Sequence, residues 1–315
     1  MKSKKFKIIF ILIGLLLIFI FMPRIIYQIQ GINLDQERVI GQYINGYHIQ
    51  PKKITGKGVI ITFGGSEGGS NLKLARKIAK EGYEVYSMYY FGQENQRESI
   101  SNVPIDFFEE LYEEIENNSN RTKPITVIGS SRGAELALIL ASNYQDKIDN
   151  LVLYAPSAYS FGGIFDDFGK ELPSWTYKGK EIPFLKQSVL FKDKKGRDIA
   201  KKLEKKPIIL EPFFTYLIEE SGNVEEAKID TSVVKANILI ITGKDDQLWP
   251  SYRMAQNIIE EHKGEHQLIA YDDVGHSFGP TKYNNMVMGG KFIENLKAGR
   301  DSDKKLFETL KRWLE

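Results

Sequence analysis

Residues Val127 to Leu138 read VIGSSRGAELAL. Two serines stand between two glycines, directly after the apolar run ITVIG and directly before the helical pattern AELALILA. A serine nucleophile at the edge of a sheet needs a tight strand–turn–helix corner, and Gly-x-Ser-x-Gly in that setting is the pattern of such an elbow. Gly129 and Gly133 leave room for the close backbone approach that the corner demands. The helix that follows aims its N-terminus at a developing oxyanion. This reading names Ser131, rather than Ser130, as the nucleophile and gives the Arg132 N–H as one oxyanion donor. The bland alternative is a Gly/Ser turn before a helix, so the rest of the chain has to decide.

Around that stretch the sequence alternates between two periods. KGVIITF (57–63), YEVYSMYYF (83–91), PITVIG (124–129), DNLVLYAP (149–156), ANILIITG (236–243) and HQLIAYDD (266–273) are short apolar runs with the length and boundaries of buried strands. Between them lie helical patterns, such as Leu72, Ala75, Ile78 and Ala79 on one face, stopped by Gly82. A last helix, 303–315, places Leu306, Leu310, Trp313 and Leu314 toward a core. Strands alternating with helices predict an α/β fold with a mostly parallel sheet and helices on both faces. The rhythm breaks at 157–228, which reads as a cap inserted above the sheet. The expected organisation is an N-terminal segment 1–23, a linker 24–50 carrying one or two short strands, and a single domain 51–315.

A serine needs a base. Of the four histidines, His48 is expected to precede the sheet, His262 ends a helix and His266 starts a strand. His276 lies in DDVGHSFGP, a glycine-flanked loop after the last strand, where sheet enzymes build their sites. The acid that orients the base should follow the preceding strand, and LIITGKDDQLWP supplies Asp246, with Asp245 as the alternative. The order Ser131, Asp246, His276 is that of the α/β-hydrolase fold. A second oxyanion donor is expected from Gly65 or Ser66 in FGGSEGGS, after the first long strand. That loop lacks the Lys-Ser/Thr ending of a phosphate loop and the glycine spacing of a dinucleotide site. No metal site and no cofactor are expected. His262 and His266 are four apart, but Gly264 interrupts any helix between them.

The segments GSSRGAELAL, SWTYKGKEIPFL (174–185), ITGKDDQLWPS and VGHSFGP, together with FGGSEGG and YYFG, resemble the C-terminal hydrolase domain shared by acyl-CoA thioesterases and bile acid-CoA:amino acid N-acyltransferases. The resemblance covers roughly residues 55–315. It implies an α/β-hydrolase fold, an acyl-enzyme on Ser131, and Asp246 and His276 completing the triad. Acyltransferase members carry cysteine at the nucleophile position, so serine favours hydrolysis of an ester or thioester over acyl transfer to an amine or alcohol. A hydrolase-like binding protein without activity is the third reading. The aromatics of the cap, Trp175 and Tyr177 above all, are expected to contact the acyl substrate.

Composition narrows the setting. The chain has 315 residues, 43 basic against 41 acidic, a balance that argues against nucleic acid as a partner. It has no cysteine, which excludes disulfides, thiolate metal sites and a cysteine nucleophile. At the N-terminus Lys2, Lys4, Lys5 and Lys7 precede an apolar run from Ile8 to Met22, ended by Pro23 and Arg24. No pair of small residues marks a cleavage site in MPRIIYQIQG, so the segment reads as an uncleaved transmembrane signal anchor. Its lysines place the N-terminus in the cytoplasm and the catalytic domain outside, on a single-pass protein of the cell membrane. CoA esters are cytoplasmic, so an outward-facing domain points to other esters or thioesters. A basic run, 192–206, holds eight basic and three acidic residues. It reads as a solvated helix face, with contact to anionic lipid headgroups as a second use.

Overall fold

The computed structural model describes residues 34–119, 121–164 and 171–315. The expected membrane segment, 1–23, lies outside them. Among the described residues no helix is long and apolar enough to cross a membrane.

Eight strands form one sheet: β1 (Leu34–Ile40), β2 (Asn45–Pro51), β3 (Val59–Phe63), β4 (Glu84–Tyr89), β5 (Ile125–Ser130), β6 (Asn150–Tyr154), β7 (Asn237–Gly243) and β8 (His266–Tyr271). Their order is β1-β2-β4-β3-β5-β6-β7-β8. The pairs from β4 across to β8 are parallel, whereas β1–β2 and β2–β4 are antiparallel. The short strands expected within the linker 24–50 are β1 and β2, a hairpin over 34–51 that extends the sheet, so the sheet starts before residue 51. Its outer strand, LDQERVI, keeps only Val39 buried, so hydrophobic patterning marks it weakly. His48 sits within β2, where its ring stacks on Tyr86 at 4.2 Å and its Nε2 lies 2.7 Å from Glu84 Oε1.

The central strands are apolar on both faces because both faces are covered. Helices α1 (Leu72–Lys80) and α8 (Phe292–Leu314) cover one face. There Ala75, Ile78, Leu306 and Leu310 pack on Ile60, Ile128, Val152 and Leu239. On the other face lie α2 (Phe107–Asn118), α3 (Arg132–Asn143) and α7 (Ser251–Glu261). Val59, Ile61, Val127, Leu151 and Ile240 point that way. Each such side chain, fully buried, contributes about 1.5–3 kcal/mol.

The cap is more structured than the sequence suggested. It contains a short ladder, Trp175–Tyr177 with Lys180–Glu181, and helices α4 (Lys194–Leu203), α5 (Glu211–Glu220) and α6 (Val224–Ala227). A two-stranded hairpin, Lys282–Tyr283 with Met286–Val287, follows the His276 loop. The final helix starts eleven residues before the expected 303, at Phe292.

Candidate active site

Loops leave the carboxyl ends of β3, β5, β7 and β8 on one end of the sheet, and these loops carry the candidate residues. Ser131 follows β5 with φ 54° and ψ −121°. Holding a non-glycine residue at positive φ costs about 1–3 kcal/mol. The flanking glycines show why the corner needs them. A Cβ on Gly129 would lie 2.1 Å from Gly133 O, and one on Gly133 would lie 2.0 Å from Gly64 O. The Ser131 N–H donates to Tyr154 O at 2.9 Å, tying the elbow to β6. Among the described residues the Ser131 hydroxyl has no hydrogen bond, whereas Ser130 Oγ accepts one from Asn71 Nδ2 at 3.4 Å.

Asp246 is buried in the turn after β7. Its Oδ1 accepts from the N–H groups of Leu248 at 2.9 Å and Trp249 at 3.2 Å. Its Oδ2 accepts from Ser251 Oγ at 2.6 Å and from His276 Nδ1 at 2.8 Å. Asp245 is turned elsewhere, toward Gln247 Nε2 and the Gly290 N–H. Of the two aspartates, the one that meets the histidine is Asp246. His276 lies on the loop after β8, and its backbone N–H donates to Met288 O at 2.7 Å. Trp249 meets the imidazole at 5.7 Å in a T-shaped contact and anchors its own indole N–H on Ala155 O. His276 forms no hydrogen bond to Ser131 among the described residues. In unliganded sites such bonds are often long and tighten only with substrate present.

On the oxyanion side, Arg132 opens α3, so its backbone N–H lacks an intrahelical acceptor. Gly65 lies against Ser131: a Cβ there would meet Ser131 Cβ at 3.3 Å. The Gly65 N–H, however, donates to Glu67 Oε1 at 2.9 Å. The Ser66 N–H is uncommitted among the described residues. Tyr90 OH donates to Gly65 O at 2.8 Å and holds the loop from below.

Trp175 and Tyr177 take places other than the ones expected. Trp175 is fully buried and donates its indole N–H to Glu135 Oε1 at 2.7 Å. Glu135 also accepts from the Phe161 N–H, and its Oε2 pairs with Arg132 Nη1 at 2.6 Å. The Arg132 guanidinium reaches on to Gly162 O and to Ser174 Oγ. Burial pushes the Glu135 carboxyl above its usual range, with Arg132 opposing that rise. Trp175 is thus a rivet between the cap and α3 and offers no free surface to a substrate. Tyr177 packs edge-on to Tyr144 at 5.8 Å. The aromatics that do lead to His276 are Phe161, Phe214 and Trp249, in ring contact with one another at 4.8 to 5.8 Å. Phe165 and Phe168, two further cap aromatics, lie outside the described residues.

Several contributors carry no sequence signal of their own. Ser251 is an ordinary helix-start serine until its bond to Asp246 is seen. Asn295, buried in α8, accepts from the Gly275 N–H at 3.0 Å and donates to Gly279 O, so it pins the His276 loop from both sides. Glu135, within the family-like stretch GSSRGAELAL, is the centre of the cap rivet.

A family model described as BAAT / acyl-CoA thioester hydrolase C terminal matches residues 103–284. Acyl-coenzyme A thioesterase 6 of Homo sapiens is 27% identical over 235 residues, covering 72% of this chain and 50% of its own length. Acyl-coenzyme A thioesterase 1 of Rattus norvegicus is 24% identical over 232 residues, with 72% and 49% covered. The chain thus spans about half the length of the curated relatives it matches. Among solved structures, an esterase of Pyrococcus furiosus superposes with a TM-score of 0.55 at 15% identity, covering 91% of this chain and 96% of the esterase. The acylaminoacyl peptidase of Pyrococcus horikoshii gives a TM-score of 0.55 at 14% identity, covering 90% of this chain and 42% of the peptidase. These likenesses establish an α/β-hydrolase-like fold with a mostly parallel central sheet.

Proposed function

The chain belongs to the BAAT / acyl-CoA thioester hydrolase C-terminal family, and on that premise we propose that it is a serine hydrolase, anchored in the cell membrane by residues 1–23, that cleaves an ester or thioester through an acyl-enzyme. The observation that carries this reading is the 2.8 Å bond between His276 Nδ1 and Asp246 Oδ2, at the same end of the sheet as the strained Ser131 elbow. With Nδ1–H committed to the carboxylate, the lone pair on Nε2 is left for the Ser131 hydroxyl proton.

The steps follow from these roles. Ser131 Oγ attacks the substrate carbonyl as His276 takes its proton. The oxyanion is held by the Arg132 N–H, assisted by the positive end of α3, and by an N–H of the Gly65–Ser66 turn. Ser66 is the donor already free for that role, while Gly65 would first have to release Glu67. The tetrahedral intermediate collapses, and His276 protonates the departing alcohol or thiol. Water, deprotonated by His276, then attacks the acyl-Ser131 ester and restores the enzyme. Water is the acceptor we assign because the elbow carries serine, and no protein cofactor enters any step. The family relationship supports an acyl thioester as the substrate class. A domain outside the membrane would meet ester or thioester substrates other than CoA esters.

Labelling with a fluorophosphonate probe tests the reading. Wild-type protein is expected to take one label, on Ser131, and to hydrolyse a small aryl ester. Ser131→Ala should lose both. Turnover at the wild-type rate in Ser131→Ala would overturn the mechanism, and an amide or new ester product formed with an added acceptor would assign acyl transfer instead.

A further inference from the structure

The cap carries a charged face that the hydrolytic reading does not use. The outer side of α4 and the segment after it expose Lys194, Lys201, Lys202, Lys205 and Lys206. None of these five has a carboxylate partner among the described residues. Lys192 has a long contact to Glu220 at 3.9 Å, and Lys195 has one to Glu219 at 3.8 Å and lies over the Tyr216 ring at 5.5 Å. Asp198 and Glu204 are the acidic residues on the exposed side, and Asp193 is spent capping the helix through the Gly196 N–H. The inner side of α4 packs Ile199, Ala200 and Leu203 on the core, so the helix is anchored with its lysines outward. Exposed lysines without partners add little to the stability of a fold.

Large apolar side chains stand exposed around the same lysines. Phe191 precedes α4 and is 67% exposed, and Ile209 follows it at 46%. Tyr283, 52% exposed, lies on the hairpin that is hydrogen-bonded to Ile208 through Asn285 O and the Val287 N–H. Lys282 beside it is also exposed. This rim is joined to the site itself. The N–H groups of Leu210 and Glu211 both donate to Gln247 O, and the His276 N–H donates to Met288 O at the end of the hairpin.

We propose that this rim docks on an anionic lipid surface, which sets the mouth of the site against the bilayer. The composition favours lipid over a soluble polyanion. Seven of the eight basic residues of 192–206 are lysines, point charges suited to a diffuse headgroup layer. The exposed phenylalanine, isoleucine and tyrosine gain from contact with acyl chains and gain nothing from a hydrated polymer. The bilayer is at hand on the anchor reading, on which this inference rests, although the chain enters the sheet at Leu34, beside Pro51, at the end opposite the mouth. The ten residues between Pro23 and Leu34 span at most about 36 Å fully extended.

The absence of cysteine makes the test direct. Full-length Ile209→Cys protein, carrying an environment-sensitive fluorophore at that one thiol, is reconstituted into vesicles of phosphatidylcholine alone or with a third of phosphatidylglycerol. Flotation with both vesicle types reports the anchor, and the fluorophore reports the rim, so either can fail without the other. We expect a blue shift and protection from an aqueous quencher only in the anionic vesicles. Both effects should be reversed near 1 M salt, where the screening length falls to about 3 Å. Replacing Lys201, Lys202, Lys205 and Lys206 by Gln should reduce the protection at least tenfold. A label at Lys311→Cys, at the opposite end of the sheet, should not respond. Equal emission in both lipids, or a shift that survives the four substitutions, overturns the proposal. A shift produced equally by soluble polyphosphate assigns a polyanion instead and also overturns it.

Discussion

At the residue scale the two aspartates make the sharpest contrast. Asp245 and Asp246 are adjacent and identical in type, yet Asp246 alone gathers the Leu248 and Trp249 N–H groups, Ser251 and His276. Asp246→Asn should lower kcat by about ten-thousand-fold, because the amide no longer fixes the imidazole tautomer. Asp245→Asn should stay within a few-fold, and steady-state kinetics of both variants on one aryl ester check the pair. Gly65 allows a second prediction. A methyl there would meet Glu67 Oε2 at 2.6 Å and Ser131 Cβ at 3.3 Å. Gly65→Ala should therefore cost about a hundredfold in kcat, the effect of shifting a site by roughly 1 Å, with little change in thermal stability. The placement of Ser131, His276 and the Asp245–Asp246 pair at strand ends was legible because glycine or turn residues surround each of them. Which aspartate turns inward was not fully legible, since it depends on how the turn folds back on two backbone N–H groups. The misassignment of Trp175 has a similar origin. An aromatic in a cap is as suited to a wall as to a pocket, and only its buried bond to Glu135 separates the two.

At the scale of elements, α3, which Ser131 caps, also carries the cap's attachment. Glu135 and Arg132, one turn apart, are both buried and satisfy Trp175, Phe161 and Ser174 between them. Removing one partner leaves the other charge buried and unpaired, so Glu135→Leu should destabilise the protein by about 3–5 kcal/mol in urea unfolding. The β2–β4 pair gives a pH prediction. Burial raises the pKa of Glu84, but hydrogen bonds from His48, Ser119 and Gln50 outweigh it and hold the carboxyl below its ordinary 4.5. A carboxyl depressed in the folded state lends stability that is present above its unfolded pKa and is lost as pH falls through the folded one. Stability should thus decline below about pH 4.5, and Glu84→Gln should flatten that decline in denaturant titrations at stepped pH. The strands of the sheet centre were legible as continuous apolar runs. The early start of α8 was not, because Phe292, Ile293 and Leu296 face solvent while Asn295 and Ala298 are the buried positions. A polar side chain holding a loop inverts the pattern by which a helix is recognised.

At the scale of the whole molecule, the sheet begins at Leu34, ten residues after the expected anchor's Pro23. The anchor reading predicts that full-length protein fractionates with membranes and that protease added outside intact cells removes the domain. Deleting residues 1–23 should release a domain with unchanged kcat on a soluble aryl ester. The rivet at Trp175 bears on how such a domain admits its substrate. The cap cannot swing open as one plate, because Phe161, Gly162, Ser174 and Trp175 are bolted to the helix that starts at Ser131. A doorway belongs in the later half of the cap, where the segment 208–210 after α4 is hydrogen-bonded to Gln247 and to the hairpin that follows His276. On the docking proposal its threshold is the row of lysines, so whatever enters crosses a cationic sill before it reaches Ser131.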